Sequence, residues 1–95
     1  MEDKKKSNLI KELEVLHEEL KSIGPMMRGS VTVMGKKNKQ PYFSVGFKGK
    51  TKVIYLGNHR AQIALTYIAN YEKMLETVNQ MTLVNMSLLK LMKTK

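Results

Sequence analysis

The stretch that decides the fold runs from residue 42 to residue 56 and reads YFSVGFKGKTKVIYL. In its first half, large apolar residues occupy every second position, which is typical of a half-buried β-strand. One face of that strand carries Phe43, Val45 and Phe47. A tight turn follows at residues 48–50, where Gly49 is expected to have a positive φ angle. Residues 51–56 predict an antiparallel partner strand, with Ile54 and Leu56 on one face and Val53 and Tyr55 on the other.

A third strand is predicted before this hairpin. Residues 31–34 read VTVM, a short β-branched run. The loop that follows, residues 35–41, holds three lysines and no large hydrophobic residue, so we expect it to be solvated. Two successive hairpins over residues 30–57 predict a three-stranded antiparallel meander. One face would be aliphatic and aromatic, and the other would carry Tyr42, Ser44, Gly46 and Lys48.

A helix is predicted before the sheet, over residues 9–23. Its apolar residues recur at steps of four and three, and Ser7 or Asn8 is a candidate N-cap. Residues 1–8 are polar and are expected to form a frayed tail. Gly24 and Pro25 end the helix, because glycine supplies a left-handed cap and proline cannot continue it. The apolar stripe fits either packing on the rest of the domain or an intermolecular coiled-coil seam.

The last predicted element covers residues 58–95, with Asn58 as its N-cap. No Gly or Pro occurs from residue 59 onward. The pattern fits one long helix that continues into an oligomeric seam, or a helical hairpin broken near Asn79 and Gln80. The fold class is therefore α+β in a single domain over 1–95. The residues predicted for a homo-oligomer interface are Leu9, Leu13, Leu16, Leu20, Leu75, Val78, Asn85 and Leu89.

Charge is concentrated in the middle of the chain. The formal net charge is +9, and residues 21–71 contain nine basic residues and no Asp or Glu. Charge of one sign over 51 residues favours a polyanionic partner, with nucleic acid as the leading class. Lysines that only keep a small protein in solution, and a protein partner, remain alternatives. The residues predicted to contact nucleic acid or another polyanion are Arg28, Lys36, Lys37, Lys39, Tyr42, Lys48, Lys50, Lys52 and Arg60.

Composition argues against several other classes. The chain has no Cys and two His, which makes a structural zinc site improbable and fits an intracellular protein. No apolar run approaches the ~18 residues of a membrane span, and the first eight residues lack the apolar region of a signal peptide. We therefore expect a cytoplasmic protein without a metal or a cofactor.

No catalytic constellation is visible in the sequence. Neither His17 nor His59 has a sequence-near Ser or Cys that forms a nucleophile motif. The tripeptide Gly49-Lys50-Thr51 resembles the end of a phosphate-binding loop, but it lacks the upstream glycine spacing and opens a strand instead of a helix. An enzyme is therefore disfavoured.

Two resemblances extend these expectations. The order of elements over residues 30–71 resembles the AP2-type and integrase arm-binding domains. Those domains back a three-stranded sheet with one helix and insert the sheet into the DNA major groove. The resemblance implies DNA binding through the sheet face, and the lysines at both hairpin tips of this sequence add predicted phosphate contacts.

The second resemblance is carried by Arg28-Gly29-Ser30-Val31, Pro41-Tyr42-Phe43, Gly49-Lys50-Thr51 and Asn70-Tyr71-Glu72-Lys73. These motifs are similar to those of a family of short bacterial proteins associated with transposases and phages. Met34 and Lys39 stand where the first Cys pair of that family is expected, so this chain lacks any metal site those cysteines form. The family implies a phage or mobile-element context in a bacterial host.

That context brings an alternative function. Small basic phage proteins also counter host defence, by sequestering a nucleotide signal or by inhibiting an immune effector such as a CRISPR nuclease. A mimic of DNA is expected to be acidic, which this chain is not. A nucleotide sponge, or an inhibitor that binds a host protein or nucleic acid, remains open.

Overall fold

The computed structural model describes residues 2–93. The elements are α1 (Glu2–Ser22), β1 (Ser30–Met34), β2 (Gln40–Phe47), β3 (Lys50–Tyr55) and α2 (Gly57–Leu91). The three strands form one antiparallel sheet in the order β1-β2-β3. The predicted α+β fold, with a helix on each side of a three-stranded meander in the chain order, is confirmed.

Contacts divide the chain into two compact units, a finer division than the single domain that the sequence predicts. The sheet unit is Gly24–Glu72, and the helical unit combines Met1–Ile23 with Lys73–Lys95. The sheet unit contains all three strands and the first turns of α2. The helical unit contains α1 and the later turns of α2.

The β2–β3 hairpin closes through a two-residue loop. Phe47 pairs with Lys50 across the hairpin, so only Lys48 and Gly49 lie in the turn. Their φ angles are 52° and 77°. Positive φ at both central residues defines a type I′ turn, whose twist matches that of antiparallel strands. The predicted positive φ of Gly49 is confirmed, and Lys48 shares that conformation.

The core of the sheet unit is small and lies on the face of β2 that carries Phe43. Phe43 is 8% exposed and packs with Leu56, Ala61 and Ala64. The two alanines lie three residues apart, so both face the core from one side of α2. Gly29 also approaches this ring, since a Cβ atom there would lie 2.5 Å from it.

Helix α2 is continuous from Gly57 to Leu91, which settles the choice between one helix and a helical hairpin. Asn79 and Gln80 lie inside it, because polar residues without Gly or Pro do not interrupt the backbone hydrogen bonds of a helix. The helix begins at Gly57, so Asn58 lies in its first turn and is not its cap. The last two residues of the predicted 58–95 element lie outside the described residues.

Helix α1 begins at Glu2, seven residues before its predicted start at residue 9, and the first residue of the predicted frayed tail over residues 1–8 lies outside the described residues. Ser7 and Asn8 lie inside the helix and do not cap it. The segment over residues 2–8 contains three Lys and one Glu, which are good helix formers, and it is not interrupted by Gly or Pro. A polar segment can therefore extend a helix whose apolar stripe starts only at Leu9.

The apolar stripe of α1 is used inside the helical unit. Leu16 is buried, and Leu9, Leu13 and Leu20 are half-buried. In α2, Thr77 is 3% exposed and its hydroxyl donates to the Lys73 carbonyl at 2.9 Å. The alternative in which α1 is an amphipathic helix packed within its own chain therefore accounts for these four leucines.

Candidate nucleic-acid interface

The sheet places the predicted basic residues at two opposite ends. The loop between β1 and β2 carries Lys36, Lys37 and Lys39, which we call the loop cluster. The β2–β3 hairpin carries Lys48, Lys50 and Lys52, which we call the hairpin cluster. Strand β2 joins the two ends, and its eight residues span about 24 Å at 3.4 Å per residue. The predicted site is therefore two clusters and not one continuous patch.

The hairpin cluster surrounds an exposed aromatic ring. Phe47 is 49% exposed. The Nζ atom of Lys48 lies 5.5 Å from the centroid of this ring, and that of Lys52 lies 5.4 Å from it. Lys50 pairs with Phe47 in the register, so its side chain leaves the sheet on the same face. Two ammonium groups therefore lie close to one exposed phenyl ring, and Lys50 adds a third positive charge on the same face at this end of the sheet.

Arg28 joins this end of the sheet from the connector before β1. Its Nη2 atom donates to the Gly46 carbonyl at 2.7 Å, and Gly46 precedes Phe47 directly. A guanidinium has five N–H donors, so this hydrogen bond leaves most of its donors for another acceptor. The side chain is exposed. Arg28 therefore fixes the connector to β2 and adds a fourth positive charge near the hairpin.

The backbone of Lys48 has a conformation that is unfavourable for a residue with a Cβ atom. A left-handed conformation costs an L-residue with a Cβ atom about 1–2 kcal/mol, and Asn and Gly tolerate it best. Lys48 adopts it with φ of 52°. Strain of this kind is often found where function requires a particular side chain.

The variant Lys48→Asn should therefore be more stable than the wild-type protein. An Asn-Gly pair is the preferred sequence for a type I′ turn, so we expect the free energy of unfolding to rise by about 0.5–1 kcal/mol. Urea denaturation followed by circular dichroism measures this change. Lys52→Asn is the control, because Lys52 lies in a strand, where Asn is disfavoured. Equal stability changes for the two variants would contradict the prediction.

Arg60 has a structural role that the sequence did not indicate. Its Nε atom donates to the Leu56 carbonyl at 2.8 Å, and its Nη2 atom donates to the Tyr55 carbonyl at 2.7 Å. The Leu56 N–H donates to the Pro41 carbonyl at 3.0 Å, but Pro41 has no N–H to return to Leu56. The guanidinium therefore supplies a donor where proline removes one from the ladder.

The substitution Arg60→Lys separates this role from ligand binding. Lysine keeps the charge but cannot reproduce the fork of two hydrogen bonds. We expect the free energy of unfolding to fall by about 1 kcal/mol and the affinity for nucleic acid to stay within twofold. Chemical denaturation and a binding titration test both parts. Wild-type stability with weaker binding would instead place the guanidinium on the ligand.

The other face of the sheet carries no charged side chain from the three strands. Tyr42 and Tyr55 pack edge to face on it, with ring centroids 5.4 Å apart, and the Tyr55 hydroxyl donates to Gln40 Oε1 at 3.2 Å. Lys50 and Lys52 leave the sheet on the opposite face, together with Phe43. The structure therefore does not bring the predicted Tyr42 together with the lysines of β3.

The lysines of the sheet have no acidic partner within the part of the chain that the structure describes. The one ion pair found there joins Lys21 Nζ to Glu18 Oε1 at 3.6 Å, between two exposed side chains of the helical unit. The sheet unit itself contains eight basic residues and one acid, a net charge of +7. Its positive charge is therefore not neutralised locally.

The described residues contain no group of three or more His, Cys, Asp or Glu placed to hold a metal ion. Within residues 2–93, neither helix is apolar enough over a sufficient length to cross a bilayer.

A groove of about 570 Å³ borders α1 in the helical unit. Its apolar lining is Val15, Leu16, Leu83 and Val84. It contains neither His17 nor His59, and the proposal that the protein is not an enzyme stays a prediction.

Comparison with known proteins adds no assignment. No protein-family model, curated protein sequence or solved structure matches the chain. The two resemblances described from the sequence therefore stay predictions, and the candidate interface depends on the geometry of its own residues.

Phe47 is the one candidate residue that the sequence did not indicate. Alternation places it on the same face as Phe43, which suggested that both rings belong to the core. The signal that distinguishes them is position: Phe47 is the last residue before the turn, whereas Phe43 lies at the middle of the strand. A helix that covers the centre of a short sheet leaves its end exposed.

Proposed function

We propose that this protein binds nucleic acid, with the hairpin cluster and Arg28 as the principal contact and the loop cluster as a second one. The observation that carries the proposal is the placement of the Lys48 and Lys52 ammonium groups against exposed Phe47, with Lys50 and Arg28 at the same end of the sheet and no acidic partner in the described residues. Clustered lysines displace the counterions condensed on a phosphate backbone. An aromatic ring at the same place offers a surface for a sugar or a base.

Salt dependence is the direct test of this proposal. We would titrate labelled duplex and single-stranded oligonucleotides of random sequence with the wild-type protein, following fluorescence anisotropy at several salt concentrations. Neutralisation of about three or four phosphates predicts a log–log slope between about −2 and −4. Absence of binding at low salt, or binding that does not respond to salt, would overturn the proposal.

A free nucleotide is the competing ligand, in keeping with a counter-defence role. Small-molecule sites are usually concave and bury most of the ligand, whereas the hairpin cluster is exposed at the end of a sheet. This difference favours a polymer. Calorimetry with cyclic dinucleotides and mononucleotides checks the alternative. Stoichiometric capture of one of them, without binding to either oligonucleotide, would replace the nucleic-acid proposal.

We further propose that the protein forms a homodimer through α2 of the helical unit. Residues 77–89 contain no charged residue. Met86 follows buried Thr77 by nine residues, or two and a half helical turns, so it lies on the opposite side of α2. Large apolar side chains exposed on or beside that side are Leu75, Val78, Met86 and Leu89, and the uncharged polar residues Asn79 and Thr82 lie among them.

A second copy of the chain is the partner that fits this face. Large apolar side chains gathered on one exposed side of a helix mark a surface that a partner normally covers. A partner segment that covers residues 77–89 should itself be uncharged, because a charge there would be desolvated. A twofold axis would pair this segment with the same uncharged segment of a second copy. Asn85 is exposed beside this face and is placed to fix the register of such a pair.

The double variant Met86→Glu/Leu89→Glu should convert the dimer to a monomer. Two carboxylates on each copy would be desolvated against apolar side chains, which is strongly unfavourable. Sedimentation equilibrium over a range of protein concentrations measures the change. Gln80→Glu is the control, since it adds a charge to the same helix away from this face. A monomeric wild-type protein at all concentrations would contradict the proposal.

A further inference from the structure

We propose that Phe47 is a stacking platform for an unpaired base, so that the hairpin cluster takes single-stranded nucleic acid. This inference rests on the proposed function and narrows its ligand. Phe47 is a large apolar side chain that is about half exposed at the end of the sheet. The ring is flanked by the ammonium groups of Lys48 and Lys52, each within 5.5 Å of its centroid.

The ring is held in place by the hairpin. Phe47 pairs with Lys50 in the last rung before a two-residue turn, so the backbone on both sides of it is fixed. Arg28 anchors the neighbouring Gly46 carbonyl from the connector. A ring on a fixed backbone loses little conformational freedom when a base stacks on it, which favours binding.

Relative strengths indicate that a base can displace an ammonium group from the ring. A cation–π contact at an exposed site strengthens an interaction by about two- to fivefold. Stacking of a base on an aromatic side chain strengthens binding by about 5- to 150-fold. A base therefore competes successfully for the face of Phe47. The displaced ammonium groups remain beside the ring, where the phosphates of the same strand lie.

The same geometry disfavours a duplex at this position. Bases in a duplex are already stacked on their neighbours, and exposing a base face requires unstacking or flipping it out of the helix. A single strand presents base faces without this cost. The uncharged face with Tyr42 and Tyr55 lies on the other side of the sheet, so a duplex bound there would not engage Phe47.

Phe47→Trp provides a spectroscopic test, because the chain contains no other tryptophan. A base that stacks on the indole should quench its fluorescence. We expect quenching by a single-stranded thymidine oligonucleotide and none by an abasic strand with the same number of phosphates. Equal quenching by both strands would overturn the inference.

Affinity provides an independent test. Phe47→Ala should weaken binding to the thymidine oligonucleotide by about 5- to 150-fold, leave the salt slope unchanged, and leave binding to the abasic strand within twofold. Tyr55→Ala is the matched control, since Tyr55 is 48% exposed on the opposite face. A loss at Tyr55 and none at Phe47 would move the base to that face and overturn the inference.

The outcomes separate this inference from the proposed function. Salt-dependent binding to the duplex, with no binding to the single strand, would refute the stacking platform and keep the nucleic-acid proposal. Failure to bind the duplex, the thymidine strand and the abasic strand would refute both.

Discussion

Reversing the charge of Lys48, Lys50 and Lys52 to Glu should lower the affinity for nucleic acid by on the order of 100-fold or more at moderate salt. Each lysine that contacts a phosphate contributes through the counterions it releases, and a glutamate in its place repels the same phosphate. Two of the three ammonium groups lie against the ring of Phe47, so reversal also changes the surroundings of the proposed platform.

The matched control is the triple variant Lys4→Glu/Lys5→Glu/Lys6→Glu. Both triple variants lower the formal net charge from +9 to +3, but this one makes the change in α1 of the helical unit. If a local contact at the hairpin governs binding, only the hairpin variant loses it. Equal losses in both variants would mean that net charge alone governs binding and would contradict the proposed site. Circular dichroism verifies that each variant is folded.

A third variant measures how much the loop cluster contributes to the affinity for nucleic acid. This variant replaces Lys36, Lys37 and Lys39 with Glu. It makes the same change in net charge as the hairpin variant, but at the other end of β2, about 24 Å from the hairpin. This loop has no exposed aromatic residue beside its lysines. We therefore expect a loss of about tenfold, smaller than that of the hairpin variant, from weakened phosphate contacts alone. A larger loss at the loop would make that end the principal contact.

The second large effect is on stability: Phe43→Ala should unfold the sheet unit. Removing a buried phenylalanine costs about 3–5 kcal/mol. Small proteins have a stability of about 0.05–0.15 kcal/mol per residue, so for a unit of this size the loss equals most or all of the total. Phe43 is the only buried aromatic residue in the described core. The methyl groups of Ala61 and Ala64, which pack against it, are too small to fill the cavity that its removal would leave.

Phe47→Ala is the matched control for this prediction. It makes the same substitution four residues later in the same strand, at a ring that is half exposed and outside the core. We expect a loss below about 1 kcal/mol, since little apolar area leaves the interior. Amide chemical shifts of the sheet residues and urea denaturation distinguish the two variants. A folded sheet in Phe43→Ala, or an unfolded one in Phe47→Ala, would contradict the packing described here.

The strands and the hairpin could be predicted from sequence because their signals are local. Alternation of polar and apolar residues has a period of two, and it follows from the geometry of each strand by itself. Gly49 identified the turn for the same reason, since a positive φ angle is a property of one residue. The start of α1 was missed, because an apolar stripe indicates where a helix packs and not where its backbone begins.

The candidate site was predicted only in part. The acid-free stretch indicated the basic residues as one set, but it could not separate them into two clusters. Arg60 was placed with the ligand contacts, whereas its guanidinium bonds the Tyr55 and Leu56 carbonyls. That role depends on Pro41, nineteen residues earlier, whose missing N–H matters only when β2 and β3 are in register.

The sequence by itself determined the order of the elements, the hairpin turn and the concentration of positive charge, since each depends on neighbouring residues along the chain. The tertiary structure decided which residues are covered. Phe43 and Phe47 have the same side chain on the same face of one strand, yet one is buried and the other exposed. The difference arises because α2 packs Ala61 and Ala64 over the centre of the sheet and leaves the hairpin end uncovered. Burial depends on distant parts of the chain, and no local pattern encodes it.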